Sequence, residues 1–462
     1  MGREAVLDQI NTYFHDGSFE KDLARRVAYK TQSNLTGFEN VLWQYLDDEI
    51  VPYLAAMGFE CTTYPNPRSD AGPILVARRQ EDDRLPTVMT YGHGDVVDGY
   101  AGQWVDDIDP WVITKKNNRW YGRGTADNKA QHTINLAALK TVLEARGKLG
   151  FNTIVLIEMA EERGSAGLRE FCETNKDLFN ADVFLASDGP RIHPDKPTIF
   201  MGSRGVFNFT MRLDVHEGGH HSGNWGGLLT NPGIVMAHAI ASIVDRNGQI
   251  LVEGWRNNDV PDTVRKAIAK LEVGGGENAP TINPNWGEPG MTPAERVFAS
   301  NTFEIRAYET GNPHSPANAV PPSAVAYGHI RYVVGTDVDQ LMPKLRVHLD
   351  KYGFNDIEII ADLDPMYATR LDPEHPWAKW VVESLCETHG GEISVIPNLG
   401  GSLPNDVFAD VLGLPTIWIP HSYAGCSQHA PNEHILEATT LGSLRLMTGL
   451  WWDLGAGGTP HS

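Results

Sequence analysis

Short apolar segments rich in β-branched and aromatic residues recur along this chain, and stretches with apolar residues at helical spacing lie between them. That alternation is the strongest constraint on the fold, because it is the pattern of an α/β domain with a mostly parallel central sheet. The candidate strands cover residues 74–78, 88–91, 153–159, 182–186 and 416–419. Between them, residues 128–146 carry Ile134, Ala137, Ala138, Val142 and Leu143 at helical spacing, and Asp127 before them is open to two readings, of which an N-cap is the commoner. Near residue 205 the pattern changes. Phe207, Phe209, Met211, Leu213 and Val215 alternate with other residues, as in a strand with one buried face, and a second such strand is expected over 324–334. Helical patterns at 234–244 and 338–349 follow them, so this middle region is expected to be a small α+β domain inserted into the first. At 462 residues the chain is too long for one ordinary core. The expected division is an α/β domain from 1–203 and 352–462, resuming with a helix near Pro376, and an insert from 204–351, with 274–276 and 284–289 as loop.

Composition removes several function classes. The formal charge of -21 argues against a phosphate backbone or an anionic membrane surface as partner, so neither nucleic acid nor membrane is expected. The four cysteines, Cys61, Cys172, Cys386 and Cys426, are widely separated and form no C-x-x-C pair, which suits a reducing compartment. The N-terminal MGREAVLDQINTYF has no apolar signal-peptide core, and no apolar run approaches the length of a membrane span; a cytoplasmic protein is expected.

The chemistry-bearing residues collect at the C-terminal ends of the expected strands, the edge where open α/β sheets bind ligands. VMTYGHGD ends in His93 and Asp95, TIVLIEMAEE in Glu161 and Glu162, and DVFLASD in Asp188; GRGTADNK adds Asp127 and QHAPNEH adds His429. Each alone has an ordinary explanation: a hydrogen-bonded histidine, a turn-forming Asp, a solvated Glu. Together they would bury repelling charge at a cost of several kcal/mol per unpaired carboxylate unless a cation held them. Imidazole with carboxylate suits zinc, and less exclusively cobalt or manganese. The inventory supports two ions sharing one carboxylate.

In order and separation, YGHGDVVDG, WYGRGTADNK, IEMAEERGSAGL, SDG, HHSGNWGG, NLGGSLP and QHAPNEH resemble the zinc-dependent exopeptidase and amidohydrolase family of aminoacylase, succinyl-diaminopimelate desuccinylase and the carnosinases. The similarity is greatest to carnosinase-type cytosolic dipeptidases and runs over nearly the whole chain. It implies two divalent ions per subunit, most simply zinc, with manganese or cobalt as alternatives. His93 and Asp188 would hold one, Glu162 and His429 the other, and Asp127 would bridge them. Asp95 would orient His93, Glu161 would be the general base, and a water activated by the ions would attack an amide carbonyl.

The resemblance further makes the 1–203 and 352–462 domain the catalytic one and the insert a lid that forms a homodimer. His221 would be the lid's donor to the oxyanion, supplied to the neighbouring subunit. Arg331, Asn318 and Ser402 match positions that contact substrate, the arginine suiting a free carboxylate, while Gly401 would let the backbone approach a ligand or simply form a turn before Ser402. The chain departs from the family pattern at Asn128, where a second Asp is frequent, and at Asn398-Leu399, where carnosinase-like members tend to carry an Arg and an acid. The expected reaction is amide hydrolysis of a dipeptide or N-acyl amino acid. The alternatives are cleavage of a non-peptide carbon–nitrogen bond on the same scaffold and a non-catalytic binder, the latter disfavoured because every expected ligand and the base are present.

Overall fold

A computed structural model describes residues 2–257, 259–274, 280–362 and 365–460. Gly275 and Gly276 of the expected glycine loop lie outside them.

An eight-stranded sheet organises most of the chain. Its spatial order is Glu60–Tyr64, Ile74–Arg79, Asn152–Glu158, Thr87–His93, Val183–Ala186, Thr416–Trp418, Thr198–Phe200 and Ser394–Ile396. The four strands from Asn152–Glu158 to Thr416–Trp418 run parallel, and both flanks join them antiparallel, so the sheet is mixed rather than parallel throughout. Consecutive side chains alternate between two apolar layers, which explains why the central segments read as continuous apolar runs. Leu75, Ala77, Val155, Ile157 and Ile417 meet the helices Arg3–His15, Lys129–Arg146, Pro376–His389 and Glu437–Gly455 on one face. Ile74, Val76, Phe184, Phe200 and Trp418 pack on the other. Gly92 lets a helix approach the central strand, since a Cβ there would lie 2.6 Å from His132 Cβ.

A second sheet has four antiparallel strands in the order Thr302–Thr310, Ser323–Tyr332, Gly205–Asp214 and Glu358–Ala361. One face is covered by the helices Pro232–Ile243 and Leu341–Lys351 through Met236, Ala239, Leu345 and Leu349. Among the described residues, no strand from 205–350 joins the eight-stranded sheet.

Three expectations need correction. The small sheet extends to Ala361, beyond the expected edge at 351, because its fourth strand pairs with Gly205–Asp214. Within the expected insert, the helices Asp262–Ile268 and Pro293–Phe298 place Val264, Ile268, Ala294 and Phe298 in the same apolar layer of the large sheet as Phe200 and Trp418. The long helix begins at Lys129, with Asn128 as its N-cap residue, so Asp127 is no cap.

Candidate metal centre

Five segments deliver the candidate residues to one edge of the large sheet. His93 is the last residue of its strand, Glu161 and Glu162 occupy the Glu161–Arg163 turn after Asn152–Glu158, and Asp188 follows Val183–Ala186. Asp127 precedes the Lys129–Arg146 helix, and His429 stands in the loop after Thr416–Trp418 with φ 56°.

These side chains form two groups around a shared carboxylate. The donor atoms of His93, Asp127 and Asp188 lie within 4.8 Å of one another, as do those of Asp127, Glu162 and His429. His93 Nε2 is 2.9 Å from Asp127 Oδ1 and 3.6 Å from Asp188 Oδ2. On the other side, His429 Nε2 is 3.1 Å from Asp127 Oδ2 and 3.0 Å from Glu162 Oε2. Asp127 thus turns one oxygen to each group. Glu161 Oε2 lies 3.8 Å from His93 Nε2 and belongs to neither group.

Asp95 accounts for much of this geometry. Its main-chain oxygen lies 3.1 Å from His93 Nδ1, leaving Nε2 to face the carboxylates. Its own carboxylate accepts hydrogen bonds from the backbone N–H of Glu161 and of Glu162, at 3.2 and 3.1 Å, and from the Ser33 hydroxyl at 2.7 Å. Asp95 therefore meets the histidine through its main chain and, through its carboxylate, pins the turn that carries both glutamates.

Charge crowding shows in the acid–base properties. Burial and then the Asp127 charge push Glu162 up to about 7, and the same two causes push Asp188 up to about 6. Burial raises Glu161 well above the usual carboxylate range. At Asp127, burial is outweighed by hydrogen bonds from His429 and His93, which hold its pKa below the ordinary value. Hydrogen bonding to Asp127 and Glu162 lifts His429 to about 11. Asp188 Oδ2 is buried and, among the described residues, has no hydrogen-bond partner. A buried orphan oxygen, within reach of an imidazole and a second carboxylate, fits a divalent cation, and the mixed nitrogen and oxygen donors suit zinc, cobalt or manganese.

Asn128 has its own work beside Asp127. Its Nδ2 donates to the Ser187 carbonyl at 2.9 Å, a bond that an Asp could not make when ionised. Gln428, which local pattern did not single out, donates to Asp127 Oδ2 at 3.2 Å; only its place next to His429 could have marked it. Ser33, which also escaped notice, is far from every motif in sequence.

The expected substrate-contact residues fall in two places. Arg331 Nη1 donates to Ser402 Oγ at 2.6 Å, and that hydroxyl donates to the Arg204 carbonyl at 2.6 Å. Arg331 is half-buried and, among the described residues, has no carboxylate partner in an ion pair. Gly401, next to Ser402, has room for a Cβ, with Leu399 Cδ2 at 3.7 Å. His221 and Asn318 lie together elsewhere, in the ribbon formed by His220–His221 and Ala319–Val320. There Ser222 N and Oγ both donate to the Asn318 carbonyl. His221 is exposed, its Nδ1 accepts from Gly223 N at 3.0 Å, and among the described residues it makes no hydrogen bond to the metal-centre side chains.

Between the glutamate turn and the small sheet lies a cavity of about 420 Å³ bordered by Gly164, Ser165, Val206 and Asn208. No helix among the described residues is long and apolar enough to cross a membrane.

Comparison with known proteins gives the family. The model of peptidase family M20/M25/M40 matches residues 89–453. The chain is 34% identical over 399 residues to human beta-Ala-His dipeptidase, covering 83% of this chain and 77% of the relative. It is 28% identical over 364 residues to cysteinylglycine-S-conjugate dipeptidase from Corynebacterium striatum, covering 76% of each. The solved M20 family metallo-carboxypeptidase Sso-CP2 from Sulfolobus solfataricus superimposes with a TM-score of 0.81 at 25% identity, over 95% of this chain and 99% of that one. Seven ordered motifs, a donor-lined sheet edge and a family match across most of the chain agree, and this protein belongs to the peptidase family M20/M25/M40, as a divalent-metal-dependent hydrolase.

Proposed function

We propose that the protein is a di-zinc dipeptidase that hydrolyses the amide bond of a small substrate with a free carboxylate. The observation that carries this is the pair of donor groups sharing Asp127, with Glu161 beside them and committed to neither. His93 and Asp188 would hold one ion, Glu162 and His429 the other, and Asp127 both. When bound, such ions polarise an amide carbonyl and make a water acidic enough to give up a proton near neutral pH.

The chain's own residues do the rest. Glu161 is buried, which raises its affinity for a proton; it takes one from the attacking water and returns it to the leaving nitrogen. Arg331, held by Ser402, offers its remaining N–H groups to the substrate carboxylate. His221 supplies a hydrogen bond to the oxyanion from the lid of a second subunit. The edge strand Thr302–Thr310 and the exposed Ile234 of the neighbouring helix form the surface through which two lids pair. The four free cysteines agree with a reducing, cytoplasmic setting.

The test is a panel of dipeptides and N-acyl amino acids incubated with the chelator-stripped protein and added zinc, cobalt or manganese. Dipeptide hydrolysis is expected only with metal restored; cleavage confined to N-acyl amino acids would move the substrate class, and metal-independent cleavage would end the proposal. Arg331→Lys should raise KM about 10- to 100-fold with kcat little changed, as the loss of a charge-assisted bond worth about 1.5–3 kcal/mol requires. Steady-state kinetics on one dipeptide checks it. Glu162→Gln should lower metal content in the purified protein, measured by elemental analysis, because it removes a donor from one group.

A further inference from the structure

Behind the donor groups, a buried ion pair joins three of the segments that carry them. Arg123 and Glu433 are each 1% exposed, and Arg123 Nη1 donates to Glu433 Oε2 at 2.6 Å. The rest of the guanidinium fork binds main-chain carbonyls: Nε donates to Asp98 O and Nη2 to Ala430 O, both at 3.0 Å. Asp98 follows His93 and Asp95 in the chain, and Ala430 follows His429. Arg123 therefore ties the segment of one donor group to the segment of the other.

Glu433 closes the third side. Its Oε2 also accepts from Gly124 N at 3.0 Å, and its Oε1 accepts from Ala126 N at 2.8 Å and Asp127 N at 3.0 Å. The last of these is the backbone of the shared ligand itself. A buried ion pair brings no assured stability, because desolvation offsets its attraction, but a carboxylate with four donors in fixed directions defines position closely. Without it, the 124–127 turn would leave its N–H groups unpaired in a dry interior, and the turn would shift to find partners.

We propose that Glu433, seated by Arg123, is the positioning residue of the metal centre: it holds the Asp127 backbone where one carboxylate can serve both donor groups. This rests on reading the site as a metal centre, and the experiment separates the two. Zinc alone is titrated into metal-free protein against a competing chromophoric chelator, and thermal unfolding of the metal-free protein is followed in parallel. Glu433→Gln should bind zinc about 10- to 100-fold more weakly than wild type, the usual cost of losing a residue that orients metal ligands. Glu433→Asp, which keeps the charge, should recover part of that loss. A merely structural role would lower the unfolding temperature and leave the zinc affinity of the folded protein unchanged, and that result would overturn the proposal. If Glu433→Gln does not fold, Arg123→Lys carries the test, since it keeps the cation but loses the fork to Asp98 and Ala430; weaker zinc binding supports the proposal and wild-type binding overturns it. Failure of both variants to fold assigns the pair to stability alone and likewise overturns it. A wild-type protein that binds no zinc would defeat the metal-centre reading instead.

Discussion

Glu161→Gln should remove activity and leave metal content at the wild-type level. The side chain lies 3.8 Å from His93 Nε2 at its nearer oxygen and belongs to neither donor group, so on the proposed roles the amide replaces a proton acceptor and no ligand. Loss of a general base costs 10²- to 10⁴-fold, about 3 to 5 kcal/mol of barrier, and more where the same group returns the proton to the leaving nitrogen. Shape is nearly conserved, and the Asp95 carboxylate still binds the backbone of residues 161 and 162, so the turn should not move. Single-turnover kinetics beside elemental analysis checks both halves. A drop in metal content equal to that of Glu162→Gln would show that the two adjacent glutamates share one role.

The second large effect concerns His221. Replacing it with alanine should lower kcat strongly with little change in metal content, because a donor on a separate element acts mainly in the transition state. His221 is exposed, its side chain accepts from Gly223 N in its own loop, and its backbone pairs with Ala319. Mixing inactive Glu161→Gln protein with inactive His221→Ala protein, and allowing the subunits to exchange, decides which chain it serves. A mixed dimer then has one site with both defects and one with neither, so activity should return to about half of wild type per mixed dimer. No recovery, with exchange confirmed by mass-labelled subunits, would place His221 in its own chain's reaction or outside the reaction.

Much of the site was legible because sheet chemistry is local. An apolar run that stops at an acid or a histidine marks a strand end, and His93, Glu162 and Asp188 stand at three such ends of neighbouring strands. What sequence pattern did not show was set by distant partners. The strand Thr302–Thr310 is an edge whose alternation is broken by a register shift between Ile305 and Ala307, so its period-2 signal cancels itself. The helices Asp262–Ile268 and Pro293–Phe298 carry no mark of the sheet whose apolar layer they join. Local pattern reads Asp127 as a cap because it precedes a helix; the family resemblance makes it the shared carboxylate, and in the structure its two oxygens face His93 and His429. Arg123 and Glu433 are 310 positions apart, and no spacing rule links them.

The place of the Thr416–Trp418 strand has a consequence for how the protein is made. It sits between Val183–Ala186 and Thr198–Phe200, so a ribosome that has delivered the first half of the chain has delivered a sheet with an internal gap between those two strands. The loop bearing His429 follows that strand. Neither the sheet nor the candidate donor set can close while the nascent chain is still short of it, and Phe184 and Phe200 meanwhile lack the Trp418 ring that packs against both. Such long-range pairing folds slowly and exposes aggregation-prone edges. Truncations that stop before residue 416 should be chaperone clients that hold no paired metal, whatever the quality of the motifs upstream.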